Sequence, residues 1–315
     1  MNSTDQKNTE NSSSKPELSS LQHVSFDCPV DHHGTTVRII GLRQPENKLP
    51  PVILVHDLGE HISMYAPLGE AFGLAGCNVY GFDFPGHGES GGSLGSITGV
   101  TQLVHNLLQV VALVRHEEKG KLPVIMAQGI SALIALFFFK KFAHLSSGLV
   151  LVAPCFKPVH EISRLKSILI KSLAEIAPHV KVPKGLAPQL FCSVKTVEPL
   201  EGDRKSKIIT RLSEPIIPRV SISFVSGLLD AVSEAPKILL ELKIPCLILG
   251  PSEDKISVYE DLQVNLKNRD LQNIRFENVE GRSHNFLIDT PHEDLKIILD
   301  KIVSWIGQSQ VATTL

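Results

Sequence analysis

Short, continuously apolar runs that alternate with longer stretches of helical periodicity constrain this chain more than any other feature. That rhythm is what a parallel sheet covered by helices requires. Pro51–His56, Asn78–Phe82, Leu122–Ala127, Gly148–Ala153 and Ile244–Gly250 lack the polar alternation of half-exposed strands, as expected where both faces of a sheet are buried. Ser63–Ala75, Val100–Glu118 and Ile130–Phe142 read as the helices between them, with Leu103, Leu107, Val110, Val111 and Val114 on one face of the second. Val24–Asp27 and Thr36–Gly41 alternate around the turn-like Asp31-His32-His33-Gly34 and predict an antiparallel pair. Ile274–Val279 supplies a last strand, and a final helix runs from Glu293 to Ile306.

The rhythm breaks over residues 156–243, where eight prolines from Pro158 to Pro236 interrupt short helical patterns. This block reads as a helical cap inserted over the open edge of a core built from residues 21–155 and 244–310. It carries more Lys and Arg than Asp and Glu, although the whole chain has a formal net charge of -2. That balance argues against a broad electrostatic footprint for nucleic acid. Residues 1–20, rich in Ser, Asn, Lys and Glu, lack a hydrophobic leader and read as a disordered tail. The most apolar run, Ala132–Phe139, stops at Lys140 and Lys141, short of the roughly 18 residues a membrane span needs. The expectation is a cytoplasmic protein. Five scattered cysteines show no metal-type spacing and fit small buried side chains in a reducing compartment, so no metal or cofactor is implied.

In a fold of this type the reactive groups sit at the carboxyl ends of the strands. There the chain has His56-Asp57-Leu58-Gly59-Glu60-His61-Ile62-Ser63-Met64-Tyr65 and Asp83-Phe84-Pro85-Gly86-His87-Gly88-Glu89-Ser90-Gly91-Gly92. The first resembles the oxyanion loop of the monoacylglycerol lipase and lysophospholipase family (serine aminopeptidase S33-like), usually H-G-x-G-E-H-S-x-x-Y. The second is similar to that family's D-x-x-G-H-G-x-S-x-G turn. The resemblance covers about Leu21 to Ile306 and implies an α/β-hydrolase fold: a mostly parallel eight-stranded sheet, helices on both faces and an inserted cap. Asp83, His87 and Ser90 read as residues that hydrogen-bond their own turn, and His56 and His61 as supports of the oxyanion loop.

A serine hydrolase of this kind needs a nucleophile on a strand-to-helix elbow, G-x-S-x-G, followed by an acid and a histidine. The resemblance places the acid at Asp254 and the histidine at His284, in Gly281-Arg282-Ser283-His284-Asn285-Phe286. The oxyanion donors fall at Leu58 and Ile130. The elbow departs from the family. It reads Met126-Ala127-Gln128-Gly129-Ile130-Ser131-Ala132, so Gly129 stands at the nucleophile position and no hydroxyl, thiol or carboxylate is there. Glycine accepts the elbow's backbone angles without the roughly 1–3 kcal/mol of strain borne by another residue. Ser131 is the alternative nucleophile, although at helical spacing its side chain points about 200° away from that of residue 129. Asp57 is a second departure, because a carboxylate beside a forming oxyanion would repel it.

These features predict a family member with impaired catalysis that binds a small acyl or lipid-like ligand beneath the cap, the main cavity opening above Gly129. The alternative is an active carboxylic-ester hydrolase using Ser131, or His284 and Asp254 as a general base. In the cap, Leu165, Ile168, Leu169 and Leu173 share a helical face with Lys166 and Lys171 off it. That face either packs on the core or makes peripheral contact with a membrane, as in the resembling lipases.

Overall fold

The computed structural model describes residues 18–313 except 32–33, 45–46, 94–95, 98, 160–161, 183–218, 270 and 291. The expected tail up to residue 17, the turn residues His32 and His33, and the proline-rich middle of the expected cap therefore lie outside the described residues. Strands β1 (Gln22–Pro29) and β2 (Thr36–Arg43) form an antiparallel pair, and β2 also runs antiparallel to β4 (Val79–Phe82). From there β3 (Val52–Val55), β6 (Val124–Gln128), β7 (Gly148–Val152), β9 (Cys246–Pro251) and β10 (Ile274–Val279) are parallel to one another. Among the described residues the sheet has eight strands in the order β1-β2-β4-β3-β6-β7-β9-β10. Strand β2, antiparallel to both of its neighbours, makes it mixed.

Helices cover both faces, and each covering helix has the apolar surface its position demands. On one face α1 (Ala66–Leu74) buries Leu68 and Phe72 with Leu295, Leu299, Ile302 and Ile306 of the last helix, His292–Thr313. On the other lie α2 (Val100–Glu117), α3 (Gly129–Phe142) and a long helix at Ile222–Glu241. Helix α3 is buried nearly all round, which explains a run from Ala132 to Phe139 with no polar face.

Several elements differ from the sequence reading, each for a local reason. The segment Ser63–Ala75 is a 3-10 turn at Ile62–Tyr65 followed by α1, with Pro67 in the first turn, where its missing N–H is harmless. The helix Ile222–Glu241 runs through Pro236 instead of ending there. An interior proline costs about 3 kcal/mol, and the buried Phe224, Val225, Leu228, Ile238 and Leu239 outweigh it at about 1.5–3 kcal/mol per side chain. Helix Glu260–Arg269 escaped sequence reading because it buries only Leu266 and carries no apolar stripe. Helix α4 (Arg164–Ile176) packs on the helix Ile222–Glu241. A short parallel pair, β5 (Ser96–Ile97) with β8 (Arg219–Val220), joins the far end of the expected insertion back to the core.

Candidate active site

The motif-bearing turn after β4 hydrogen-bonds itself. Asp83 Oδ1 accepts from Ile62 N–H at 2.7 Å and Oδ2 from Glu89 N–H at 2.9 Å, while Ser90 Oγ donates to Asp83 O at 2.6 Å. A Cβ at Gly88, where φ is +46°, would lie 2.0 Å from Asp83 Oδ2, so only glycine closes the turn this tightly. His56 accepts from Phe84 N–H at Nε2 (3.1 Å) and donates through Nδ1 to Asp57 O (2.7 Å). Burial lowers its pKa below the usual histidine value, in keeping with that neutral tautomer. His87 accepts from Gly59 N–H at 3.3 Å, and burial with His56 beside it brings its pKa down to about 4. These residues brace the loop after β3 against the turn after β4.

Opposite them, past the ends of β9 and β10, His284 Nδ1 stands 2.9 Å from Asp254 Oδ2. Asp254 also accepts from Tyr259 OH at 2.5 Å and from the N–H groups of Ile256 (2.8 Å) and Ser257 (3.1 Å). Burial pushes the Asp254 carboxyl up, but the His284 ring and these donors more than offset it and hold the group below the usual carboxylate range. Tyr259 gave no signal in the sequence.

The centre of the site is organised around Asp57. Gly129 opens α3 with φ at +58°, and a Cβ built there would lie 2.1 Å from Asp57 Oδ2 and 2.4 Å from its Cγ. The Asp57 carboxyl thus fills the space a side chain at 129 would need. Asp57 Oδ1 accepts from Leu58 N–H and Ile130 N–H, both at 2.8 Å, the two groups expected to serve as oxyanion donors. Asp57 Oδ2 lies 3.8 Å from His284 Nε2, beyond direct hydrogen bonding. The sequence reading set Asp57 beside the oxyanion position as a source of repulsion. The structure corrects this: the carboxyl occupies that position. The signal was available as a pair of compensating size changes, larger than glycine at 57 and smaller than serine at 129.

Ser131 is fully buried in α3, and its Oγ has no hydrogen-bond partner among the described residues. Glu60, also missed, accepts from Asp57 N–H (3.0 Å) and Tyr65 OH (2.5 Å) on Oε2. Burial first, and Asp57 second, push its carboxyl up to about 8, which favours the neutral acid.

A cavity of about 920 Å³ lies at the opposite, amino-terminal end of the parallel strands, between Pro50, Leu122, Pro245 and Trp305. The cavity expected above Gly129, lined from both cap and core, draws on a cap of which residues 183–218 lie outside the described residues. On α4, Leu165, Ile168, Leu169 and Leu173 are exposed, while Lys171 pairs with Asp230 of the helix behind it. Among the described residues this apolar face does not pack on the core. No helix among them is long and apolar enough to cross a membrane.

Comparison with known proteins agrees with this architecture. Residues 47–291 match the family model described as serine aminopeptidase, S33. The monoacylglycerol lipase of Mycolicibacterium smegmatis is 20% identical over 261 residues, covering 81% of this chain and 87% of that protein. The monoglyceride lipase of Rattus norvegicus is 24% identical over 260 residues, covering 81% and 82%. Among solved structures, the Paleococcus ferrophilus monoacylglycerol lipase superposes with a TM-score of 0.64 at 22% identity, covering 92% of this chain and 99% of that one. With the family model spanning most of its length and the eight-stranded mixed sheet in place, the chain belongs to the serine aminopeptidase S33 family and has the α/β-hydrolase fold.

Proposed function

We propose that this family member has lost serine-dependent ester hydrolysis and binds a lipid-like or small apolar ester ligand beneath the segment between β7 and β9. One observation carries the loss: the Asp57 carboxyl lies where a nucleophilic side chain at 129 would project and takes both backbone donors meant for an acyl oxygen. An ester carbonyl therefore finds neither a hydroxyl to attack it nor a vacant pair of N–H groups to polarise it. Support for ligand binding comes from the family's substrates, named in its relatives as monoacylglycerols and monoglycerides. The exposed apolar face of α4, with the exposed Lys166 beside it, supports peripheral contact with an anionic lipid surface.

Labelling with a fluorophosphonate probe tests the loss, because the probe reports an activated serine whatever the substrate. No labelling is expected, and a Ser131 adduct would overturn the reading. Binding is tested by thermal melting with monoolein, which should raise the melting temperature in proportion to the logarithm of free ligand. The competing reading, an active carboxylic-ester hydrolase, has one observation in its favour: His284 and Asp254 lie 2.9 Å apart, as a general base and its orienting acid would. Hydrolysis of p-nitrophenyl butyrate without fluorophosphonate labelling would favour it. Ser131, buried and without a partner among the described residues, has no such support.

A further inference from the structure

From the placement of Asp57 we infer that the site retains covalent chemistry of a different kind, with Asp57 as a carboxylate nucleophile toward primary alkyl halides. The inference rests on the same geometry as the proposed loss of serine chemistry and extends it to a new substrate class. A nucleophile in a protein is recognised by an adjacent base that is itself held by a third group. Asp57 Oδ2 faces His284 Nε2 at 3.8 Å, and His284 Nδ1 is held by Asp254 at 2.9 Å. The other oxygen, Oδ1, is fixed by Leu58 N–H and Ile130 N–H. The carboxyl is thus anchored by one oxygen and presents the other toward an imidazole.

Elementary chemistry selects the substrate. Attack by a carboxylate on an ester would form an anhydride, which lies uphill of the ester, so acyl substrates gain nothing from Asp57. Attack on a saturated carbon forms an ordinary ester, which is stable until water is activated. A halide departs as an anion without needing a proton, and no proton donor facing a leaving group has to be invoked. In the first step Asp57 Oδ2 bonds to the halogen-bearing carbon while the carbon–bromine bond breaks and bromide leaves with the electron pair. In the second, His284 Nε2 takes a proton from water as the water oxygen bonds to Asp57 Cγ. Negative charge then gathers on Oδ1, already between two backbone N–H groups at 2.8 Å, which is where an oxyanion is best stabilised. Collapse breaks the bond from Cγ to the former Oδ2, which leaves with the alkyl group and takes the proton from His284. The balance is alkyl bromide plus water giving alcohol, bromide and a proton. Asp57 regains one oxygen from the solvent.

The test uses the full chain with 1-bromohexane. Wild type should release bromide over many turnovers, and a single turnover in heavy-oxygen water should leave the label on the peptide containing Asp57. His284→Phe should release one equivalent of bromide and then stop, with a hexyl group on that peptide. Asp57→Asn should do neither. Circular dichroism checks that both variants fold, and the isotope experiment on wild type needs no variant at all. If wild type takes up no heavy oxygen at Asp57 and neither protein carries hexyl there, the proposal is wrong. Bromide release with alkylation only at other residues overturns it equally. A fluorophosphonate adduct on Ser131 would end the earlier reading by a separate signal.

Discussion

At the ends of β9 and β10, Asp254 gathers four hydrogen bonds and holds the His284 ring, an arrangement that any member of this family could use. Across the site, at the ends of β3 and β6, the Asp57 carboxyl has moved into the space a side chain at 129 would fill and onto both backbone donors. On the proposed reading the acid–imidazole half is conventional and the nucleophile half is rebuilt. The contrast teaches that Gly129 and Asp57 are coupled in space, the carboxyl of one filling the room a side chain on the other would need. A glycine at 129 alone would leave a void beside the imidazole, and an aspartate at 57 alone would collide with any Cβ at 129.

The sharpest way to break this comparison is to restore the serine. Gly129→Ser places Cβ within 2.1 Å of Asp57 Oδ2 at a φ of +58°, so Asp57 must leave its donors while the new residue bears elbow strain. Strain of about 1–3 kcal/mol and a displaced buried carboxylate of similar cost predict a loss of roughly 2–6 kcal/mol in urea denaturation, with no gain in ester hydrolysis. Adding Asp57→Gly should recover at least about 1 kcal/mol of that loss, because residues in contact couple by 0.5–3 kcal/mol. The double variant should also hydrolyse p-nitrophenyl butyrate about 10²-fold faster than either single variant, the scale of an oxyanion donor regained. A single Gly129→Ser protein as stable and as active as the double would dissolve the coupling.

Tyr259→Phe probes the conventional half. It removes a hydroxyl that donates to Asp254 at 2.5 Å and should lower stability by about 1.5–3 kcal/mol, the range for a hydrogen bond to a charged group. The pH dependence follows from the depressed Asp254 pKa. Stability gained from such a group is present above its unfolded value, near 3.9, and is lost as pH falls through the lower folded value. Acid unfolding of Tyr259→Phe should therefore begin at a higher pH than that of wild type. Superimposable acid transitions would mean that Tyr259 does not help hold the carboxylate.

Glu60 sharpens the rebuilt half with a smaller, opposite pH effect. Its folded pKa is raised to about 8, so its contribution is full below the unfolded value near 4.3 and declines as pH rises toward 8. Glu60→Gln keeps an acceptor for Tyr65 and for Asp57 N–H but cannot ionise. Its melting temperature should fall less than that of wild type between pH 5 and pH 8. Parallel curves would place the proton elsewhere.

The fold was legible because burial on both faces writes itself as unbroken apolar runs, as in Val52–Val55 and Gly148–Val152. Positions fixed by strand ends, such as Asp254 and His284, were legible through the loops that carry them. What escaped depended on tertiary contact. Pro236 lies inside a helix because packing overrides its local preference. Tyr259 and Glu60 matter only through neighbours brought in by folding. The sequence reads Asp57 and Gly129 as separate departures 72 positions apart, and only the distance between Cβ and carboxylate joins them.

Ser131 gives the smallest expected effect and tests whether the hydroxyl two residues into α3 has any part in the rebuilt half. Its Oγ is buried without a partner among the described residues. An unsatisfied buried hydroxyl is a liability of about 1–3 kcal/mol, and alanine relieves it while being the better helix former by a few tenths of a kcal/mol. Against that, removing one oxygen opens a small void, worth about 1 kcal/mol at most for a group the size of a methyl. The terms nearly cancel with a slight gain, so Ser131→Ala should melt at the wild-type temperature or a few degrees above it. Bromide release from 1-bromohexane should be unchanged, since the reacting oxygens belong to Asp57. A destabilisation beyond about 1 kcal/mol would reveal a partner for the hydroxyl, and loss of turnover would return the chemistry to a serine.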